Sequence, residues 1–340
     1  MVSPFEKKKV RCLEKLYVVG AQQKNDVLKD WQQYKKGIIL EVDPKHQSAV
    51  KRVEYVSPAN VCPENNPSIS FTAATVMNNL LYVGTQTEIL VYSLPAFNKT
   101  AYLSLPCFND IHHVRPTKDG HLLVANTGLD TVLTVSLEGE IVNEWNVLGK
   151  KTWERFSKTV DYRKVPTTKP HESHPNYVFT IGNEIWVTRC LQKDAVCLTK
   201  PGQRINIGRQ LVHDGVLFGD KIYFTQVDGH IVVADCHHHQ VLNVYDLNQM
   251  TNTTHPLGWC RGLHILNEDQ VIVGFTRVRP QRKMTAEGKA EWRGGYGVLP
   301  TRIACYDLKL GSLLWEQPLE RDNMNAIYSI HRKIESSRRG

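Results

Sequence analysis

The sequence predicts an all-β chain folded as a six-bladed β-propeller, and three observations predict it. Short apolar runs alternate with Gly-, Asn- and Asp-rich turns, and long amphipathic helical patterns are nearly absent. One segment type, a polar turn followed by a strand, recurs six times: "EKLYVVGAQ", "NNLLYVGTQ", "DGHLLVANT", "GNEIWVTRC", "GDKIYFTQV" and "EDQVIVGFT". The first copy lacks the strand that precedes each of the others, while "NMNAIYSIHRK" at 323–333 is a strand left without a repeat to join.

The repeats centre on Tyr17, Tyr82, Leu123, Trp186, Tyr223 and Ile272, spaced 65, 41, 63, 37 and 49 residues apart. The short gaps match a four-stranded blade of roughly 40 residues, and the long ones must carry insertions. The expected blades are about 13–57 joined by 323–333, then 68–105, 108–147, 173–208, 210–256 and 259–319. An open ring would leave unpaired strand edges, so the C-terminal strand is expected to complete the N-terminal blade. A seventh blade has no sequence to build it, and two stacked sandwiches would not explain the repeat.

The 340 residues are 41% hydrophobic and 22% charged, enough core material for one large β domain. The start, "MVSPFEKKKVRCLEK", has no apolar h-region and no stretch approaches a membrane span, so a cytoplasmic location without a membrane partner is expected. Eight cysteines are scattered and never form CxxC, which argues against a zinc module and against a disulfide scaffold. No phosphate-cradling loop, GxSxG or HExxH occurs, so no nucleotide cofactor is expected.

In a propeller the innermost strands begin around one mouth of the central channel. Aligning those starts brings Asn109-Asp110, His174-Pro175, His213-Asp214, Arg261-Gly262 and Asn325-Ala326 into register, with Ser70 or Thr72 in the second blade. Deeper positions hold His112 or His113, Tyr177, His264 and Tyr328, then His331. Histidine in five of six inner strands points to a transition metal such as Fe, Zn or Cu, since neutral imidazole is its commonest ligand. The candidate ligands are His113, His174, His213 and His264, with Asp110 and Asp214 orienting imidazoles from behind. A metal-free cluster, in which histidine is acid, base or nucleophile and Arg261 holds an anion, is equally open. Cys260 is either a nucleophile or a packed thiol, and "CHHHQ" at 236–240 reads as a solvated turn on the opposite face.

Three insertions, 20–36, 148–172 and 276–302, fall where propeller connections emerge on that same mouth. They carry net charges of +2, +4 and +5, against +8 for the whole chain, so the basic character belongs to the lid. Trp153 and Trp292 are the aromatic candidates within them for substrate contact, beside Asn109, Asn325, Tyr177 and Tyr328.

The third blade, "DGHLLVANTGLDTVLTVSLEGEIVNEW", resembles blades of NHL-type propellers and of the calcium-dependent lactonase and phosphotriesterase group. "NDIHHVRPTKDGHLLV" is similar to openings in arylsulfotransferase propellers. In the lactonase group an axial calcium is held mainly by Glu, Asn and Asp, whereas the corresponding positions here are richer in histidine.

The reading is of an enzyme acting on a small anionic or aromatic metabolite, with His113, His174, His213, His264 and Arg261 as catalytic candidates. Metal-dependent hydrolase, lyase and oxygenase chemistry are all compatible. The alternatives are a histidine-dependent group transferase without metal, and a non-enzymatic propeller binding an acidic protein or RNA through its basic, aromatic face.

Overall fold

Six four-stranded antiparallel sheets are arranged in a ring in the computed structural model of this chain. It describes residues 14–26, 28–284 and 290–334; the side chains of Asp30 and of 281–293 also lie outside the description. The innermost strands of blades 1 to 6 are Ala326–Arg332, Ala74–Met77, Ile111–Pro116, Pro175–Ile181, Val216–Phe218 and Trp259–Asn267. The second strands are Leu16–Gln23, Leu80–Gly84, Leu122–Asn126, Glu184–Arg189, Lys221–Gln226 and Gln270–Thr276. All six repeat centres fall in these second strands, which is why their apolar pattern is strongest: they are buried on both faces.

Each junction between neighbouring blades has its own apolar cluster. Phe179 and Trp186 of blade 4 meet Ile222 and Phe224 of blade 5, and Tyr223 and Val233 of blade 5 meet Phe275 and Tyr306 of blade 6. Val18, Ile38 and Ile330 of blade 1 meet Ile272 and Ile303 of blade 6, so the seam is packed like every other junction. Full burial of each such side chain stabilises by about 1.5–3 kcal/mol.

The ring closes as the repeat count requires. Leu16 to Ala21 pair antiparallel with Arg332 to Ala326, so the last strand becomes the inner strand of the first blade. Gly20 makes this possible at one point: a Cβ there would stand 1.8 Å from the Ala326 carbonyl oxygen and 2.5 Å from Met324 Sδ. No helix among the described residues is long and apolar enough to cross a membrane.

The three long segments connect strands as follows. The 20–36 and 276–302 segments each join the second and third strands of a blade, and 148–172 joins blade 3 to blade 4. The last insertion of the chain contains a small separate hairpin, Gln281–Met284 paired with Ala290–Arg293.

Candidate active site

The channel mouth encloses a cavity of about 380 Å³, at the small end of ligand pockets. Each insertion supplies part of its wall: Trp31 and Tyr34 from the first, Val165 to Thr167 and Lys169 from the second, Arg279 from the third. The second insertion is tied down from inside. Asn109, 4% exposed, donates through Nδ2 to the carbonyls of Tyr162 and Val165 at 2.8 and 2.9 Å. Its amide hydrogens are therefore spent on holding the covering segment.

Three imidazoles from three successive blades line the cavity: His112, His174 and His213. The ring centroids of His112 lie 4.7 Å from His174 and 6.2 Å from His213. Each has a separate partner for Nδ1. His112 Nδ1 donates to the Asp110 carbonyl at 2.8 Å, and His213 Nδ1 faces Asp214 Oδ1 at 3.4 Å. His174 Nδ1 lies 2.7 Å from Nδ1 of His171. Thr168 Oγ1 donates its hydrogen to the Gly128 carbonyl, so at 3.3 Å it accepts from His171 Nε2–H. A neutral His171 then offers its Nδ1 lone pair to His174 Nδ1–H. All three cavity imidazoles are thus set as Nδ1–H tautomers, with Nε2 unspent among the described residues. His213 Nε2 is fully buried without a partner.

Burial pushes the basicity of the whole group down. His213 falls to about 4, chiefly through desolvation, with Arg261 adding to the drop and Asp214 opposing it. His112, His171 and His174 shift the same way, again chiefly by desolvation, with Lys169 adding to each drop. At neutral pH the cluster presents uncharged imidazole nitrogens.

Asp214 is itself well held, accepting from Thr225 Oγ1 at 2.6 Å and from the Gly262 backbone N–H at 2.8 Å. That second bond requires the left-handed turn at Gly262, whose φ is +80°. In blades 3 and 4 the same conformation falls on Asp110 (φ +50°) and His174 (φ +62°), one position apart in the alignment of the two strand starts.

The structure brings some expected residues together and separates others. Asn109, His174, His213, Arg261 and Tyr328 line the mouth. His113 does not: it is fully buried, stacked on Tyr177 at 3.7 Å, with Nδ1 accepting from Val178 N–H and Nε2 bonded to Thr75 Oγ1. Its neighbour His112 takes the cavity position, because a bulge between Ile111 and His113 leaves His112 outside the strand ladder. Tyr177 faces His113 and not the cavity.

His264 opens on the other end of the channel, beside His331, and its Nε2 pairs with Glu14 at 3.0 Å. Three residues of strand beyond Arg261 amount to roughly 10 Å, too far to share one ligand shell. Asn325 anchors the first insertion by accepting from Gln23 N–H at 3.0 Å. Trp153 packs under Lys158 away from the mouth, and the side chain of Trp292 lies outside the described residues.

Cys260 is completely buried between blades 5 and 6, and burial pushes its thiol far up, so it is a packed thiol. His237 and His238 are exposed; with Asp220 and Cys236, His237 forms a small ligand group on the blade 5 turn. Residues missed at the mouth are Trp259, Arg279, Asn176 and Cys190. Only "GWCRG", with Trp259 two positions before Arg261, carried a local signal.

The fold is similar to the crystal structure of a protein of unknown function from Bacteroides caccae. The TM-score is 0.60 at 12% identity, covering 95% of this chain and 100% of that one. The WD40 β-propeller domain of Doa1 aligns with a TM-score of 0.49 and 12% identity, over 89% of this chain and 87% of that one. No protein-family model and no curated protein matches the sequence. At such identities the likeness is one of fold alone.

Proposed function

We propose that this propeller is an enzyme whose channel mouth holds a transition-metal ion on histidine and processes a small anionic metabolite there. The observation that carries the reading is the Nδ1 contact made by each of His112, His174 and His213, which assigns all three the Nδ1–H tautomer. Three unrelated acceptors, a carbonyl, an imidazole and a carboxylate, each take an Nδ1–H and leave Nε2 available. Outer partners of this kind are what metal-bound imidazoles have. In the mouth, only Asp110, His171 and His174 have potential ligand atoms all within 4.8 Å of one another among the described residues, so binding through the three Nε2 atoms draws the rings together. A nitrogen-rich set suits Zn, Fe or Cu, and it disfavours the oxygen-ligated calcium of the lactonase group.

Such an ion supplies Lewis acidity or an acidified water. The chain's own residues do the remaining work. Asp214, the Asp110 carbonyl and His171 fix the three tautomers, Arg261 attracts the anion, and the insertions exclude bulk water.

A second reading without metal is favoured by one observation. His213 Nε2 is buried and unpartnered with Asp214 behind its other nitrogen, an arrangement suited to a general base or nucleophile.

Elemental analysis of protein purified without an affinity tag separates the two. The metal reading expects about one Zn, Fe or Cu per chain, lost in His112→Ala, His174→Ala and His213→Ala variants that remain folded. A wild-type protein that carries none, and takes up none when each ion is supplied, overturns it in favour of the Asp214–His213 pair.

A further inference from the structure

The histidines occupy one side of the mouth, and the other side is built from a closed circuit of five side chains. The Arg261 guanidinium lies 4.9 Å from the Tyr328 ring and 5.6 Å from the Trp259 ring. Arg279 lies 4.5 Å from Trp259 and 5.6 Å from Tyr34, and Tyr34 meets Tyr328 edge-on at 6.5 Å. All five line the one cavity, though they come from the closing strand, the blade 6 inner strand and two insertions.

This circuit restricts what Arg261 can do. Aromatic rings against a guanidinium take up its faces, and its N–H groups in the plane remain for hydrogen bonding. Arg261 Nε is buried and has no hydrogen-bond partner, and Arg261 makes no ion pair among the described residues. A buried donor without a partner is costly to keep, and the in-plane edge of a half-buried guanidinium matches a carboxylate with two parallel hydrogen bonds. The surrounding Trp31, Tyr34, Trp259 and Tyr328 offer apolar, flat surface for the rest of the ligand.

We propose that the mouth recognises an aromatic carboxylate, its carboxylate on the in-plane edge of Arg261 and its ring against the aromatic side chains, with the far end directed to the histidines. This rests on the reading of the mouth as the functional site and names the class of molecule it takes. An aromatic acid of one ring is well within a cavity of about 380 Å³.

Calorimetric titration of the full chain with benzoate, inorganic phosphate and benzyl alcohol tests it. Benzoate is expected to bind saturably, at least tenfold more tightly than either of the others. Arg261→Ala is expected to weaken benzoate at least tenfold, and Arg261→Lys to recover only part, because a point charge lacks the fork. Thermal unfolding and circular dichroism establish that each variant is folded; if Arg261→Ala is not, Arg261→Lys and Arg261→Gln carry the comparison. Absence of benzoate binding, or binding unchanged in folded Arg261 variants, overturns the proposal. Phosphate binding as tightly as benzoate also overturns it, since the aromatic walls would then contribute nothing. The metal reading fails separately: benzoate bound through Arg261 in a protein without metal sinks that reading alone, and a metal-loaded protein indifferent to benzoate sinks only this one.

Discussion

Asp130 Oδ1 accepts the backbone N–H of His174 at 2.8 Å, joining the third blade to the residue just before the inner strand of the fourth. The same carboxylate takes the N–H groups of Ser173 and Glu172 and an ion pair from Arg155. It thereby fixes the left-handed turn on which His174 stands. Asp130→Ala leaves three N–H groups without their acceptor, each orphan worth about 1–3 kcal/mol where water cannot reach it. The expected result is a lower melting temperature and, on the metal reading, at least tenfold weaker metal retention, and Asp130→Asn should recover part of both. Unchanged metal retention in a destabilised Asp130→Ala protein would show that the turn does not position His174.

The two displaced histidines give a contrasting pair. His113→Ala removes the acceptor of Val178 N–H and the stacking partner of Tyr177, and is expected to cost roughly 1–3 kcal/mol in denaturant unfolding. Among the described residues, the polar contact that His264→Ala loses is the one to Glu14 at the far end of the channel. On the metal reading, both variants should keep whatever metal the wild type carries. If the wild type proves to carry metal, its loss in His264→Ala would return that residue to the proposed ligand set.

Acid should destabilise the ring through these imidazoles. His213 titrates near 4 and His331 near 3, and His112, His113, His171 and His174 are lowered in the same direction, all chiefly by desolvation. Unfolded histidine titrates near 6.5, so below that pH the unfolded chain binds more protons than the folded one. The stability contribution is therefore complete above about pH 6.5 and is lost as pH falls toward 4, at up to about 1.4 kcal/mol per pH unit for each histidine. Urea midpoints should stay level from pH 7.5 to about 6.5 and fall from there down to pH 5, and a profile flat over the whole range would contradict the buried neutral cluster.

The seam offers a test of the fold. Gly20→Ala places a methyl against the Ala326 carbonyl and should destabilise by roughly 1–3 kcal/mol. Deleting 323–340 removes the inner strand of blade 1 and should give aggregated or unfolded protein. A truncated chain that remains monomeric and unfolds cooperatively would refute closure by that strand.

Much of this architecture was legible in the residues. The six repeat centres lie in second strands because a doubly buried strand must be apolar throughout, and that pattern survives without knowledge of neighbours. Asn109, His174, His213 and Arg261 were legible together because each lies at or near the start of an inner strand and lines the one mouth. The exchange of His112 for His113 was not legible, since a bulge reverses which neighbour faces the channel and leaves no mark of its own in "NDIHHV". His264 was misplaced because depth along the channel depends on strand length, which alignment of starts does not measure. Trp259 and Arg279 belong to a circuit closed by side chains from distant insertions, and no local spacing encodes it.

The pairing of Leu16–Gln23 with Ala326–Arg332 also sets an order of events during synthesis. The outer three strands of the first blade are complete by Tyr55, yet their inner partner begins only at Ala326. At about 5–20 residues per second, translation of the intervening chain takes roughly 15–60 s. Through that interval the nascent first blade presents a strand edge that its final partner strand cannot yet cover.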